Sequence, residues 1–65
     1  MIKVTRLNKK QQKETFMLNC ELIETIEELP DTTIKLLNGN RYVVEEPIGD
    51  VISKVIAFKR SIYSR

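Results

Sequence analysis

Alternating hydrophobic and polar positions predict short β-strands along much of the chain. Ile2 and Val4 alternate with Lys3 and Thr5, a period of two that is typical of a half-buried strand rich in β-branched residues. The next segment, 8–14, has no apolar residue and is predicted to be an exposed connection. The strands predicted in this way cover about 2–7, 15–18, 32–37 and 41–46.

A hairpin is predicted around Asn38-Gly39, which lies between the last two of these strands. Asn-Gly supplies the positive φ angles that a tight two-residue hairpin turn requires. In such a hairpin Ile34 and Leu36 share one face with Tyr42 and Val44, and this face is expected to pack inward.

Residues 20–29 are compatible with a helix or with a strand. The apolar residues in or next to this segment follow a helical spacing: Leu22, Ile23, Ile26 and Leu29. Asn19 could cap such a helix, but Pro30-Asp31 is a natural turn start, and the strand that follows it needs a neighbour for pairing. We therefore predict one turn at 19–21 followed by a strand at about 22–28.

A helix is predicted from about Pro47 to Ile62. Pro47 favours a first helical turn, Asp50 places a negative charge near the positive end, and Lys59 and Arg60 lie near the negative end. The apolar residues of this segment cover an arc of about 160°: Ile48, Val51, Ile52, Val55, Ile56, Phe58, Ile62 and Tyr63.

That arc is wider than a single surface helix usually needs, so we expect a homo-oligomer. The candidate interface residues are Ile52, Ile56, Phe58 and Tyr63. Size supports the same expectation, because a 65-residue chain buries only about 60% of the surface that its unfolded form exposes. The sequence thus predicts one α+β domain, in which a small antiparallel sheet of about four to five short strands packs against one C-terminal helix.

Composition limits the chemistry that the chain can perform. It has no histidine, and the single cysteine, Cys20, can form no internal disulfide, which is typical of a protein of the reducing cytoplasm. The paired acids Glu27-Glu28 and Glu45-Glu46 point to opposite faces of a strand, so we interpret them as surface charge. We expect no enzymatic activity, no metal and no cofactor. No membrane span is expected, because the sequence has no apolar run of about 18 residues, and no cleaved signal is expected, because Lys3, Arg6 and Lys9 interrupt the N-terminal segment.

Charge is unevenly distributed, although the net charge is only +2. An acidic stretch follows a basic beginning, and the bases that could line one end of a small sheet are Lys3, Arg6, Lys9, Lys10, Lys13 and Arg41. The alternative function is therefore a small nucleic-acid-binding regulatory module. Against it, the chain has only four aromatic residues, without the basic-aromatic spacing used for base stacking, and the acidic stretch would repel phosphates.

Seven short segments, in order, carry a resemblance to a known family. They are Val4-Thr5-Arg6-Leu7-Asn8, Phe16-Met17-Leu18-Asn19, Leu22-Ile23-Glu24, Ile26-Glu27, Pro30-Asp31-Thr32-Thr33-Ile34, Asn38-Gly39 and Tyr42-Val43-Val44-Glu45-Glu46. With them the chain resembles the FlbD/SwrD family of flagellar swarming-motility proteins from Ile2 to about Arg60. The sequence departs from the family pattern between positions 8 and 16. The family usually has Gly directly after the Asn at position 8, and its link from there to the Phe at position 16 is shorter. Residues 9–15 therefore resemble an insertion.

The resemblance implies a cytoplasmic, non-enzymatic accessory of bacterial flagellar motility, peripheral to the motor at the inner membrane. Proteins of this kind support swarming by increasing the power of the MotA/MotB stators, so flagellar motor or stator proteins are the expected partners. The polar residues expected to contact a partner are Arg6, Asn8, Asn19 and Asp31. The alternative for the last three is a turn in which each side chain bonds its own backbone. Arg6 needs a carboxylate or carbonyl partner if it is covered, and that partner can be internal.

Overall fold

The structure is a computed structural model and describes residues 1–8 and 13–63. Within these residues the chain forms five strands, one short 3-10 turn and one helix. The elements are β1 (Ile2–Arg6), β2 (Glu14–Leu18), the 3-10 turn (Cys20–Leu22), β3 (Ile23–Glu28), β4 (Thr32–Leu36), β5 (Arg41–Val44) and α1 (Ile48–Tyr63). The predicted α+β fold, an antiparallel sheet with one C-terminal helix, is confirmed.

The five strands form one antiparallel sheet in the order β2-β1-β5-β4-β3. The two edge strands, β2 and β3, are joined only by residues 19–22. In a flat sheet the four gaps between strands would separate the edges by about 19 Å, whereas the five steps from Leu18 to Ile23 reach at most about 18 Å even when fully extended. The 3-10 turn shortens that reach further. The two edges must therefore lie closer together than in a flat sheet, so the sheet is curled.

The core lies on the face of the sheet that α1 covers. Its buried side chains come from every element except β3: Ile2, Val4, Leu18, Cys20, Ile34, Leu36, Val44 and Val51. Around them lie partly buried side chains, namely Phe16, Ile23, Ile26, Tyr42, Val55 and Phe58. The helix packs closest to β1 and β3. Among helix residues 48–62, whose burial the structure describes, only Val51 is fully buried, so most of this helical surface lies outside the core.

The strand interpretation of residues 20–29 is confirmed over the helical one. Ile26 of β3 pairs with Ile34 of β4, which supplies the neighbour that β4 requires. The helical part of this segment is the single 3-10 turn. The Asn19 side chain caps this turn and accepts a hydrogen bond from the Glu21 N–H at 3.1 Å. The register then shifts between Ile23 and Thr25, so one strand residue has no direct partner across the ladder.

The hairpin between β4 and β5 is present, but the predicted two-residue turn is wrong. The connection contains one more residue, since the Leu36 N–H donates to Asn40 O at 2.8 Å and the Gly39 N–H donates back to Leu36 O at 3.0 Å. Only Gly39 has a positive φ, at 91°. The Asn38 side chain accepts a hydrogen bond from the Asn40 N–H at 3.0 Å. This local bond stabilises a turn in which one residue, not two, has the left-handed conformation.

Seven of the predicted element boundaries move by one or two residues. The first strand ends at Arg6, the second begins at Glu14, and the helix begins at Ile48, because Pro47 precedes it and its carbonyl accepts from the Asp50 and Val51 N–H groups. The third strand begins at Ile23, the fourth ends at Leu36, the fifth ends at Val44 and the helix ends at Tyr63. The inserted segment predicted at 9–15 contributes its last two residues to β2, and residues 9–12 lie outside the described residues.

Candidate functional site

Arg6 stands at the end of β1, between two aromatic side chains. It is paired with Glu14 on β2 and with Val44 on β5. Its guanidinium carbon lies 5.0 Å from the centre of the Phe16 ring and 5.7 Å from that of the Tyr42 ring. The two ring centres are 5.3 Å apart and the rings are tilted by 46°. We call Arg6, Glu14, Phe16 and Tyr42 the Arg6 cluster.

Strand register explains why these residues meet. Phe16 pairs with Val4 and Tyr42 pairs with Ile34, so both rings project from the same face as the core. The rings come from β2 and β5, the two strands that flank β1. Arg6 on β1 is the diagonal neighbour of each ring, because its direct partners lie two residues away from Phe16 and Tyr42. The curl of the sheet brings the rings together across β1 at this point.

The Arg6 side chain is oriented by neighbours in its own chain and still reaches solvent. Its Nε atom lies 3.4 Å from the Glu14 carboxylate, and 45% of the side chain is exposed. Each such contact is weak at an exposed site, about 0–1 kcal/mol. Together they fix the plane of the guanidinium without burying it. The internal carboxylate partner considered for this residue is therefore present.

Two of the other three predicted contact residues, Asn19 and Asp31, lie away from the Arg6 cluster. Asn8 is half-buried, two residues beyond Arg6. Asn19 follows Leu18, which pairs with Ile2 at the end of β1 opposite to Arg6. The side chain of Asn19 caps the 3-10 turn. Asp31 is exposed just before β4, on the far side of β5. The structure thus separates the four residues into at least three places.

Asp31 belongs instead to a cavity beside the start of the helix. This cavity has a volume of about 260 Å³ and is lined by Leu7, Glu28, Pro30, Asp31, Thr32, Val44, Glu45 and Pro47. Three of these side chains are acidic. We call it the acidic cavity.

Glu28 joins the sheet to the helix at this cavity. One of its carboxylate oxygens accepts a hydrogen bond from the Ile48 N–H at 2.9 Å and another from the Thr32 hydroxyl at 3.3 Å. The first N–H groups of a helix have no partner within the helix, so a carboxylate there satisfies one of them and interacts favourably with the helix dipole. Glu28 is exposed, as expected of a surface charge, but it also has this structural role.

Glu46 has a comparable structural role between the end of β5 and β1. Its two carboxylate oxygens accept from the Thr5 N–H at 2.9 and 3.0 Å. Burial by itself would raise the pKa of this carboxyl, but the hydrogen bonds from Thr5 and the charge of Lys54 outweigh it, so the pKa lies below its ordinary value of 4.5. Glu46 is thus also more than surface charge. No local spacing in the sequence points to either contact.

The outer surface of α1 presents apolar residues to solvent. Ile52 is 44% exposed and Ile56 is 48% exposed. An open groove of about 450 Å³ lies on the outer surface of the helix and is lined by Ser53, Ile56, Ala57 and Arg60. Of the other predicted interface residues, Phe58 packs against the core, and the side chain of Tyr63 lies outside the described residues.

Reactive groups do not converge at any of these places. Cys20 is buried in the core. Among residues 1–8 and 13–63 there is no group of three side chains that could hold a metal ion. In the same part of the chain, no helix is both long enough and apolar enough to cross a membrane. What the described surface offers is an oriented cation, an acidic cavity and an apolar helix face.

Comparison with known families decides the relationship. The model of the family FlbD, described as flagellar and swarming motility proteins, matches residues 1–63. The chain belongs to the FlbD family. This membership indicates a role in flagellar and swarming motility. Comparisons with curated proteins and with solved structures found no match.

Proposed function

We propose that this FlbD-family protein is a non-enzymatic cytoplasmic accessory of the flagellar motor, which binds a protein partner and thereby supports the power of the stators. Family membership supports the motility role. The observation that supports protein binding is the Arg6 cluster, in which an exposed guanidinium is held on two aromatic rings.

An oriented arginine suits a protein partner for a physical reason. Binding a flexible side chain costs conformational entropy, and contacts with Phe16, Tyr42 and Glu14 reduce that cost because they restrict Arg6 before the partner arrives. Arginine and tyrosine are also enriched among the residues that dominate interface energies. The partner surface should carry a carboxylate, which a planar guanidinium binds through two parallel hydrogen bonds.

Stator proteins of the MotA/MotB type are the proposed partners, as the family resemblance implies. Such a partner would place this protein at the cytoplasmic side of the inner membrane, peripheral to the motor. Nothing in the described surface favours the nucleic-acid alternative, since Lys3 and Arg6 lie on opposite faces of β1 and Arg6 already has a carboxylate beside it.

Deleting the gene in the source bacterium tests this function. We expect weaker movement under high load, on a surface or in a viscous medium, with filaments assembled normally. Overproduction of the stator proteins should partly restore the movement. Torque measured on tethered cells is the decisive quantity, and an unchanged torque in the deletion strain would overturn the proposal.

Direct binding is tested separately with purified proteins. The accessory should bind detergent-solubilised MotA/MotB complex and show no affinity for a random DNA duplex at physiological salt. A torque defect without binding to the stators would keep the motility role and reject the stators as direct partner.

A further inference from the structure

The backbone direction of β1 identifies which groups of β2 are available for pairing. The Thr5 N–H donates to the Glu46 carboxylate and the Thr5 carbonyl accepts from the Glu45 N–H, so both groups point towards the end of β5. In an antiparallel strand the N–H and carbonyl groups of successive residues point to alternate sides. Val4 must therefore bond the other neighbour, β2, through its partner Phe16.

The residues on either side of Phe16 direct their backbone groups away from β1. These residues are Thr15 and Met17, and both are exposed. Within residues 1–8 and 13–63, no strand lies beside β2 on that side. Two N–H donors and two carbonyl acceptors thus stand in a row along this edge. An extended chain can pair with such a row by adding a further strand to the sheet.

The other edge of the sheet, β3, is protected against such pairing. Its register shifts between Ile23 and Thr25, and three of its six residues are glutamates. The helix α1 also packs against it. Bulges, charges and a covering helix are the usual features that block an edge strand. In contrast, β2 pairs with β1 in a regular register over all five residues, and its one charged residue is Glu14 at its first position.

The Arg6 cluster lies directly beside the open edge of β2. The guanidinium carbon of Arg6 is 5.0 Å from the centre of the Phe16 ring, and Nε is 3.4 Å from the Glu14 carboxylate, so the positive charge is held close to β2. The residue opposite Phe16 on an added strand has its side chain on the same face as that ring. A carboxylate at that position can reach the guanidinium. On the other face, Met17 is 55% exposed and offers an apolar contact.

We infer that the partner protein binds as an extended segment added to the open edge of β2. Its backbone pairs with Thr15 and Met17, an acidic side chain opposite Phe16 binds Arg6, and an apolar neighbour on the other face contacts Met17. In complexes of this kind the main-chain hydrogen bonds supply affinity and the alternating side chains supply specificity. The inference rests on the proposed function, because it specifies the chemistry and the geometry by which the partner is bound.

Hydrogen exchange of the wild-type chain gives the first test. In the free protein the amides of Thr15 and Met17 should exchange fast, whereas that of Phe16, which bonds β1, should exchange slowly. In the complex with detergent-solubilised MotA/MotB, exchange at Thr15 and Met17 should slow by about tenfold. Unchanged exchange at both residues in a complex that forms would overturn the inference, because the partner would then contact side chains only.

Proline substitutions separate strand addition from binding by the Arg6 side chain alone. Met17→Pro removes an outward N–H, which an edge strand tolerates, and should leave the protein folded with the Arg6 cluster intact. Phe16→Pro removes an N–H that bonds β1 and should unfold the protein, as circular dichroism will show. A folded Phe16→Pro protein would mean that the assigned backbone directions are wrong.

Binding of the two edge variants to the MotA/MotB complex measures the effect of the backbone group. Met17→Val is the matched control, because it keeps both the N–H and an apolar side chain. Met17→Pro should weaken binding by about tenfold, and Met17→Val should bind as the wild type does. Equal affinities of the two variants overturn the inference.

Torque on tethered cells extends the test to a partner other than the stators. Met17→Pro should reproduce the defect of the deletion strain, and Met17→Val should not. Normal torque in the Met17→Pro strain, combined with a defect in the deletion strain, overturns strand addition and leaves the proposed function in place. Normal torque in the deletion strain overturns both.

Sedimentation equilibrium distinguishes a partner strand from a second copy of this chain. Wild type and Met17→Pro should have the same mass at tens of micromolar. A homo-oligomer formed through the apolar face of α1, as the sequence predicts, would keep its mass in Met17→Pro. A dimer that Met17→Pro dissociates would show that β2 pairs with another copy of itself, which overturns the inference.

Discussion

Both carboxylate oxygens of Glu46 lie within hydrogen-bonding distance of the backbone nitrogen of Thr5, at 2.9 and 3.0 Å. The neighbouring N–H, that of Glu45, donates to the Thr5 carbonyl in an ordinary ladder bond. The chain then leaves the sheet towards Pro47. The side chain of Glu46 thus supplies the acceptor that a further strand residue would otherwise provide.

Replacing this carboxylate should lower stability. We expect Glu46→Gln to reduce the free energy of unfolding by about 1–2 kcal/mol, because an amide is a weaker acceptor and carries no charge. Glu45→Gln is the matched control, since Glu45 is the exposed neighbour and contributes its backbone only. Urea unfolding of the two variants measures the difference, and equal midpoints would contradict the assigned role.

The same carboxylate predicts a direction of pH dependence. The pKa of Glu46 is lowered in the folded protein, so its contribution to stability is fully present above the ordinary value of 4.5 and is lost as the pH falls through the folded-state pKa. Wild type should therefore lose stability relative to Glu46→Gln below about pH 4.5. Thermal unfolding at several pH values between neutrality and pH 3 checks this. Parallel curves for the two proteins would show that another group is responsible.

The bond between Glu28 and the start of α1 predicts a second stability effect. Glu28→Ala removes the acceptor of the Ile48 N–H and should destabilise the protein by about 1–2 kcal/mol. Glu27→Ala is the control, because Glu27 is exposed and lies next to Glu28 on the opposite side of the strand. Chemical unfolding compares them, and loss of helical circular dichroism should be larger for Glu28→Ala at equal denaturant.

The two glycines should respond in opposite ways to substitution. Gly39 has a φ of 91°, so Gly39→Val strains the turn and should cost about 1–3 kcal/mol. At Gly49, in the first turn of α1, an added Cβ meets nothing within 4 Å, so Gly49→Ala should stabilise by about 0.5–1 kcal/mol. Melting temperatures test both changes. An unchanged value for Gly39→Val would contradict the observed turn.

Arg6 variants test the proposed binding surface. Arg6→Ala should leave the protein folded, because the side chain is 45% exposed, and should weaken partner binding by about 2 kcal/mol or more. Arg6→Lys keeps the charge but loses the planar group that lies on the rings, so an intermediate effect is expected. Lys3→Ala, on the other face of β1, should bind normally.

Torque on tethered cells is the readout in vivo, with each variant produced at the wild-type level. Arg6→Ala should reproduce the defect of the deletion strain. Normal torque in the Arg6→Ala strain, combined with a defect in the deletion strain, would keep the motility role and move the binding surface away from the Arg6 cluster.

Local patterns predicted most elements of this fold, because the alternation of a strand, the turn residues of a hairpin and the charges of a helix are local features, whereas β3 needed an argument from pairing. Alternation marked β1, and the need for a pairing partner identified β3 in a segment that has helical spacing. The turn at Gly39 shows the limit of this approach, since Asn-Gly indicates a hairpin, but a bond from the Asn40 N–H to the Asn38 side chain selects the longer loop.

The contacts that hold the site together were beyond such patterns. Glu28 bonds a residue 20 positions away and Glu46 bonds one 41 positions away, and neither pair has a characteristic spacing. The Arg6 cluster likewise depends on the strand order, which places β1 between β2 and β5. Alternation placed Arg6 on the same face as Ile2 and Val4, but it could not identify Phe16 and Tyr42 as the rings beside it.

The position of β1 also determines how the molecule should open. The β1–β2 hairpin meets the β3–β4–β5 unit along a short seam, formed by the pairing of Arg6 with Val44, the hydrogen bonds from Leu7 to Val43 and from Glu45 to Thr5, and the Glu46 carboxylate. Ladders inside each unit are longer. In native-state hydrogen exchange, the amides of Leu7 and Glu45 should therefore become accessible before that of Ile34. A pulling force between the two units crosses this seam, which makes it the place where the sheet yields first.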